Sequence, residues 1–218
     1  MEAFVLVAVL LFSIVVHEVA HAWQARREGD DLAERLGRIT LNPLPHLDPV
    51  GSVIVPLVLH FTGSGILFGW AKPVPVDPSR YRSPVWGDVR VSMAGIVANF
   101  GLAALAVVGA IVILRVEMLG GGSLGTVADL ALLGMEYGIV INLLLAFFNL
   151  IPIPPLDGSH VVFHMLPESV RYKYQELGRY GLLIMMGLLF LVPGAFRLLL
   201  YPVFYFQGLA DSFIRLWI

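Results

Sequence analysis

Residues 3–27 read A-F-V-L-V-A-V-L-L-F-S-I-V-V-H-E-V-A-H-A-W-Q-A-R-R (Ala3 to Arg27), and this stretch decides the fold. Residues 3–16 carry no charge. A run of roughly 20 apolar residues is what a helix needs to cross the hydrocarbon of a bilayer. A helix over Ala3–Trp23 is therefore predicted, with Trp23 at the interface and Arg26 and Arg27 beyond it in water. The chain opens Met1-Glu2, without the positive n-region of a signal peptide, so the segment is expected to be retained.

The rest of the chain has the same character. Of its 218 residues 58% are hydrophobic and only 14% charged, and mean hydropathy is +0.82. Soluble domains carry about 25% charged residues. Val91–Leu114 reads as a span, and so does Ala128–Ile151, which stops at Pro152. Val50–Phe61, broken by Pro56, falls in the range of re-entrant segments. Pro193-Gly194 splits the last apolar region into a helical hairpin ending near Trp217. The expected fold is an all-α polytopic membrane protein, with about five to six transmembrane or re-entrant helical segments. A small extended or β element near the cytoplasmic face is expected with them, all within one membrane-embedded domain over residues 1–218.

Eleven of the 14 basic residues fall between Trp23 and Arg90 or between Asp157 and Arg179. Placed on one side of the membrane, they mark that side as cytoplasmic. The expected location is a multi-pass cell membrane, the plasma or inner membrane of a prokaryote. No basic stripe suited to a nucleic-acid backbone is present, so nucleic acid is not an expected partner. With no cysteine, disulfides and thiolate metal sites are excluded.

The chemistry lies in H-E-V-A-H. His17 and His21, at i and i+4, share one helix face and can hold one Zn²⁺ between them, while Glu18 stands beside them to take a proton from water. His17 precedes Arg26 by nine residues, which places it about 13 Å below the charged surface at the helical rise per residue. An ionisable group such as Glu18 at that depth signals function. A catalytic zinc needs a third protein ligand. Glu136 and Asp157 compete for that place. Asp157 is the better candidate, because it follows helix-breaking prolines in P-P-L-D-G, and broken backbone at membrane depth lines a cavity or packs against protein. His160 and His164 repeat the i, i+4 spacing, but are expected on a face close to the cytoplasm rather than at a second metal.

H-E-V-A-H, G-W-A-K-P-V-P-V (Gly69–Val76) and N-L-I-P-I-P-P-L-D-G (Asn149–Gly158) together resemble the site-2 protease family of intramembrane metalloproteases. L-N-P-L-P-H-L-D-P-V-G (Leu41–Gly51) and A-G-I-V-A-N-F (Ala94–Phe100) are similar to its compact subgroup, which lacks PDZ and CBS domains. The resemblance implies zinc on His17, His21 and Asp157, with Glu18 as general base. It also implies that Asn149 holds or polarises the substrate carbonyl, and that the substrate is a membrane-spanning segment of another protein. A metal-ion transporter or inactive scaffold using the histidine pair is the alternative. Such a protein has no need of Glu18.

Lys72-Pro73-Val74-Pro75-Val76 is expected to run extended, since alternating proline forbids a helix. One edge of it lacks N–H groups, while Val74 and Val76 present theirs on the other. This segment is either a stiff connector or an edge that binds substrate by strand pairing through Pro73, Val74, Pro75 and Val76. If His17 and Asp157 are to meet at one metal, the first helix and the 128–151 span must run in the same direction.

Overall fold

A computed structural model describes residues 1–55, 58, 61, 71–120, 125–192 and 194–218. The main helices among them are α1 (Glu2–Glu28), α2 (Leu32–Arg35), α3 (Pro84–Leu119), α4 (Gly125–Asn149), α5 (Gly158–Met165), α6 (Glu168–Glu176), α7 (Gly181–Leu191) and α8 (Ala195–Leu216). Three of these, α1, α3 and α4, are long and apolar enough to cross a membrane. Where the re-entrant segment is expected, Pro49–Ile54 forms a short π-helix capped by Asp48, whose side chain accepts from the Val50 and Gly51 N–H groups. Pro56 and most residues between it and Trp70 lie outside the described residues, and the return of that segment lies there with them.

The helices run past the apolar runs that predict them. α1 continues from Trp23 to Glu28 because charged residues do not end a helix. It stops at Gly29, whose φ of 113° places it in the left-handed region and lets its N–H close on the Ala25 and Arg26 carbonyls. α3 starts seven residues before the expected Val91, at Pro84 in the first turn, where a missing N–H is no loss. α7 and α8 part at Gly194, φ 85°; Pro193 is outside the described residues.

Side-chain neighbours fix the helix directions. Along α1 and α4, Val5 lies beside Gly134 and Ser13 bonds Asn142, so the two helices are parallel. Along α3 and α4, Gly109 faces Met135, Ala106 faces Gly138 and Asn99 bonds Asn142, so these are antiparallel. Small residues make the close approach possible: Gly95, Ala103, Ala106 and Ala110 form the buried stripe of α3, while Val97, Leu105, Val108 and Val112 face outward. α8 closes the other side of α4. Its Val203 is buried against Ala103, Ala106, Ile139 and Leu143, and Phe206 packs on Phe147 with ring centroids 5.4 Å apart.

No β-strand occurs among the described residues, and residues 71–77 are irregular chain. Several of the polar groups that a strand partner would need are already taken by neighbouring elements. The Lys72 N–H donates to the His46 carbonyl, Arg38 donates to the Lys72 and Pro73 carbonyls, and the Asp77 N–H donates to Asp30.

Candidate metal centre

On α1 the two imidazoles of H-E-V-A-H point the same way, and both are oriented from behind. His21 Nδ1 lies 2.7 Å from the Val91 carbonyl oxygen on α3. His17 Nδ1 lies 2.5 Å from Asn99 Oδ1, also on α3. A carbonyl or carboxamide oxygen only accepts, so each Nδ1 carries a proton, and in the neutral imidazole that a metal requires each Nε2 is left with a bare lone pair. The two Nε2 atoms are 3.0 Å apart. Asp157 Oδ2 is 3.2 Å from one and 3.3 Å from the other, yet it is buried and accepts no hydrogen bond. With both imidazoles neutral, these three electron-rich atoms converge with no proton among them to relieve the repulsion. A cation does so, and two nitrogens with one carboxylate oxygen form a donor set suited to Zn²⁺. The residues present fit the metal. Among the described residues this is the one group of three or more His, Asp or Glu donors clustered tightly enough to hold an ion.

Residues 5–192 match the family described as Peptidase family M50. The chain belongs to that family. It is 37% identical over 188 residues to "Putative zinc metalloprotease YwhC" of Bacillus subtilis (strain 168), which covers 86% of this chain and 80% of that protein. It is 31% identical over 215 residues to "Putative zinc metalloprotease Rip2" of Mycolicibacterium smegmatis, covering 94% of this chain and 74% of that one. No solved structure matches significantly. The resemblance to site-2 proteases thus rests on a family match over most of the chain.

In this M50 peptidase the third member of the cluster arrives from a loop. After α4 the chain turns back through residues 150–157, and Gly158 presses against the Leu150 carbonyl so closely that a side chain there would collide with it. The next helix, α5, is then tied to α3 by Asp88, whose Oδ2 lies 3.0 Å from His160 Nδ1 and 2.7 Å from His164 Nε2. His160 and His164 are thus clamp residues at a site apart from the cluster. The bond to Asp88 holds the His160 imidazole above its ordinary range, against the burial that would lower it.

Glu18 is next to the cluster in sequence, and its Oε2 accepts from the Val74 N–H at 2.8 Å. Residues 71–77 therefore lie alongside the site, and Val74 is buried against Ala22 and Ala33. One of the two donors expected on that edge is committed to Glu18. Asn149, at the end of α4, donates from Nδ2 to the Leu145 carbonyl of its own helix at 2.9 Å; it is not among the three clustered donors.

Asn99, Asn142, Gly95 and Asp88 are not among the site residues predicted from the sequence; helix–helix hydrogen bonding is the reading that the sequence alone gives the two asparagines. Gly95 faces His17 and His21 so closely that a Cβ there would overlap both imidazoles. Asn99 and Asn142 are almost fully buried in otherwise apolar helices. A buried amide must find a partner, and that signal was legible; which partner it finds was not.

Proposed function

We propose that this M50 metalloprotease is an intramembrane zinc endopeptidase of a multi-pass cell membrane, hydrolysing bonds in or near transmembrane segments of other membrane proteins. The observation that carries the reading is the convergence of His17 Nε2, His21 Nε2 and the hydrogen-bond-free Asp157 Oδ2, with Glu18 one residue from the first. The names borne by the two relatives point the same way. His17, His21 and Asp157 would hold the Zn²⁺, which when bound supplies Lewis acidity towards water and the scissile carbonyl.

Glu18 acts as general base, taking the proton of the attacking water and delivering it to the leaving amine. Its Oε2 is steadied by the Val74 N–H. Asn149 has two amide hydrogens; with one on Leu145, the second is left to donate to the substrate carbonyl. Pro73, Val74, Pro75 and Val76 border the substrate. With the Val74 N–H held by Glu18, pairing with an extended segment would rest on Val76. Residues 1–218 act as a single membrane-embedded domain.

The test is cleavage of a model transmembrane substrate in detergent micelles. Glu18→Gln keeps one zinc per chain and loses turnover by several orders of magnitude. A Glu18→Gln protein that still cleaves would remove the general base from the scheme. If the parent protein binds zinc and transports it without cleaving anything, the transporter reading replaces this one.

A further inference from the structure

The polar bonds behind His17 do not stop at Asn99. Asn99 Nδ2 donates to Asn142 Oδ1 at 2.8 Å, and Asn142 Nδ2 donates to Ser13 Oγ at 2.9 Å and to the Gly138 carbonyl at 2.8 Å. His17, Asn99, Asn142 and Ser13 are all buried, with 7%, 0%, 2% and 0% of their surfaces exposed. The chain of bonds joins α1, α3 and α4 and returns to α1 one turn before His17.

A hydroxyl can donate or accept, and a carboxamide can turn over and exchange its oxygen for its nitrogen. A backbone carbonyl can do neither. Gly138 O accepts only, so the group facing it must be the Asn142 nitrogen. Asn142 then presents its oxygen to Asn99, Asn99 presents its nitrogen to Asn142 and its oxygen to His17, and His17 must donate from Nδ1. Three side chains away from the metal centre, one peptide carbonyl settles which imidazole nitrogen is bare.

We propose that Asn99 and Asn142 are positioning residues of the metal centre: Asn99 locks His17 into the Nδ1–H tautomer, and Asn142, anchored on the Gly138 carbonyl, prevents Asn99 from turning over. The inference rests on the reading of His17 as a metal ligand. Groups that orient ligating histidines typically contribute about 10–100-fold to metal affinity.

The experiment measures Zn²⁺ affinity by competition with a chromophoric chelator, on detergent-solubilised full-length protein. Asn99→Ala should weaken binding by about 10–100-fold. Asn99→Asp should rescue it to within about threefold of the parent, because either protonation state keeps an oxygen on His17 Nδ1–H. If Asn99 served only to pack α3 on α4, the aspartate, which disturbs the bond to Asn142, would be as damaging as alanine. Asn142→Ala leaves the Asn99 oxygen able to reach His17 but frees the amide to turn; a loss of about three- to tenfold is expected. That variant carries the test if Asn99→Ala does not fold. His17→Ala separates the two readings. If it loses zinc while Asn99→Ala and Asn142→Ala bind like the parent, the positioning role is overturned and the ligand assignment stands. If His17→Ala itself binds zinc fully, both fall.

Discussion

Helix α1 passes through two polar regions built on opposite plans. Behind His17, on the side away from Asp157, the bonds that lead back to Ser13 run through neutral groups: two carboxamides, a hydroxyl and a peptide carbonyl, all buried. Around Glu28 the partners are charged. Arg90 grips Glu28 with two donors at 2.7 and 2.9 Å, and Gln24 adds a third at 2.8 Å. Close by, Arg80 reaches Asp77 at 3.0 Å and Asp31 at 3.4 Å. The charged rim gains from Coulomb attraction but shares it with water and salt. The neutral chain has little Coulomb attraction to offer, yet each bond dictates the direction of the next. In hydrocarbon, where an unpaired charge is expensive, direction is what can be transmitted, and the metal centre sits at the end of that chain rather than at the rim.

Removing a ligand breaks the interior most severely. Asp157→Ala or His21→Ala should take the metal content from one ion per chain to near zero by elemental analysis, whereas His160→Ala, which loosens only the Asp88 clamp, should retain it. Full occupancy in the Asp157 variant would refute the ligand set. Next comes Gly95→Ala, whose methyl group has no room beside the two imidazoles. Overpacking of this kind destabilises by about 1–3 kcal/mol, and here the same methyl displaces both nitrogen donors. Reduced unfolding stability together with reduced zinc affinity is expected; an unchanged affinity would mean that α3 moves aside freely. The smallest effects sharpen the contrast itself. Asn142→Leu should cost about 0.6–2 kcal/mol in mixed-micelle unfolding, and the cost should not vary with ionic strength. Arg90→Gln should cost less, and its effect should fade as salt is raised. Equal salt dependence of the two variants would erase the distinction between rim and interior.

The sequence told most where chemistry is local. His17 and His21 can be read as a pair because four residues of helix bring any two side chains onto one face. Asp157 was legible because P-P-L-D-G is an improbable way to pass through a membrane unless something uses it. Helix ends were misjudged where hydropathy stops but the backbone does not: α1 runs on to Gly29, and α3 begins at Pro84. Asn99 and Asn142 were visible as costly amides. Their partners, however, lie on other helices, 82 residues away for His17 and 43 between the two asparagines, and no local spacing carries that information. Gly95 is silent for a different reason. A glycine within a span reads as ordinary close packing, and only the fold reveals that what it packs against is the metal centre. The Val74–Glu18 bond was hidden likewise, since alternating proline foretells an extended chain but not which carboxylate claims its free N–H.

The grip of Arg90 on Glu28 also bears on a question of compartments. It holds the end of α1 and the start of α3 together. The expected topology therefore has the two helix ends on one face of the membrane, with no net crossing between them. Gly37 is exposed, with nothing near the position its Cβ would take, and Gly120 is exposed at the far end of α3. In a chain without native cysteine, a thiol introduced at Gly37 or at Arg82 meets a membrane-impermeant reagent from one side, and a thiol at Gly120 meets it from the other.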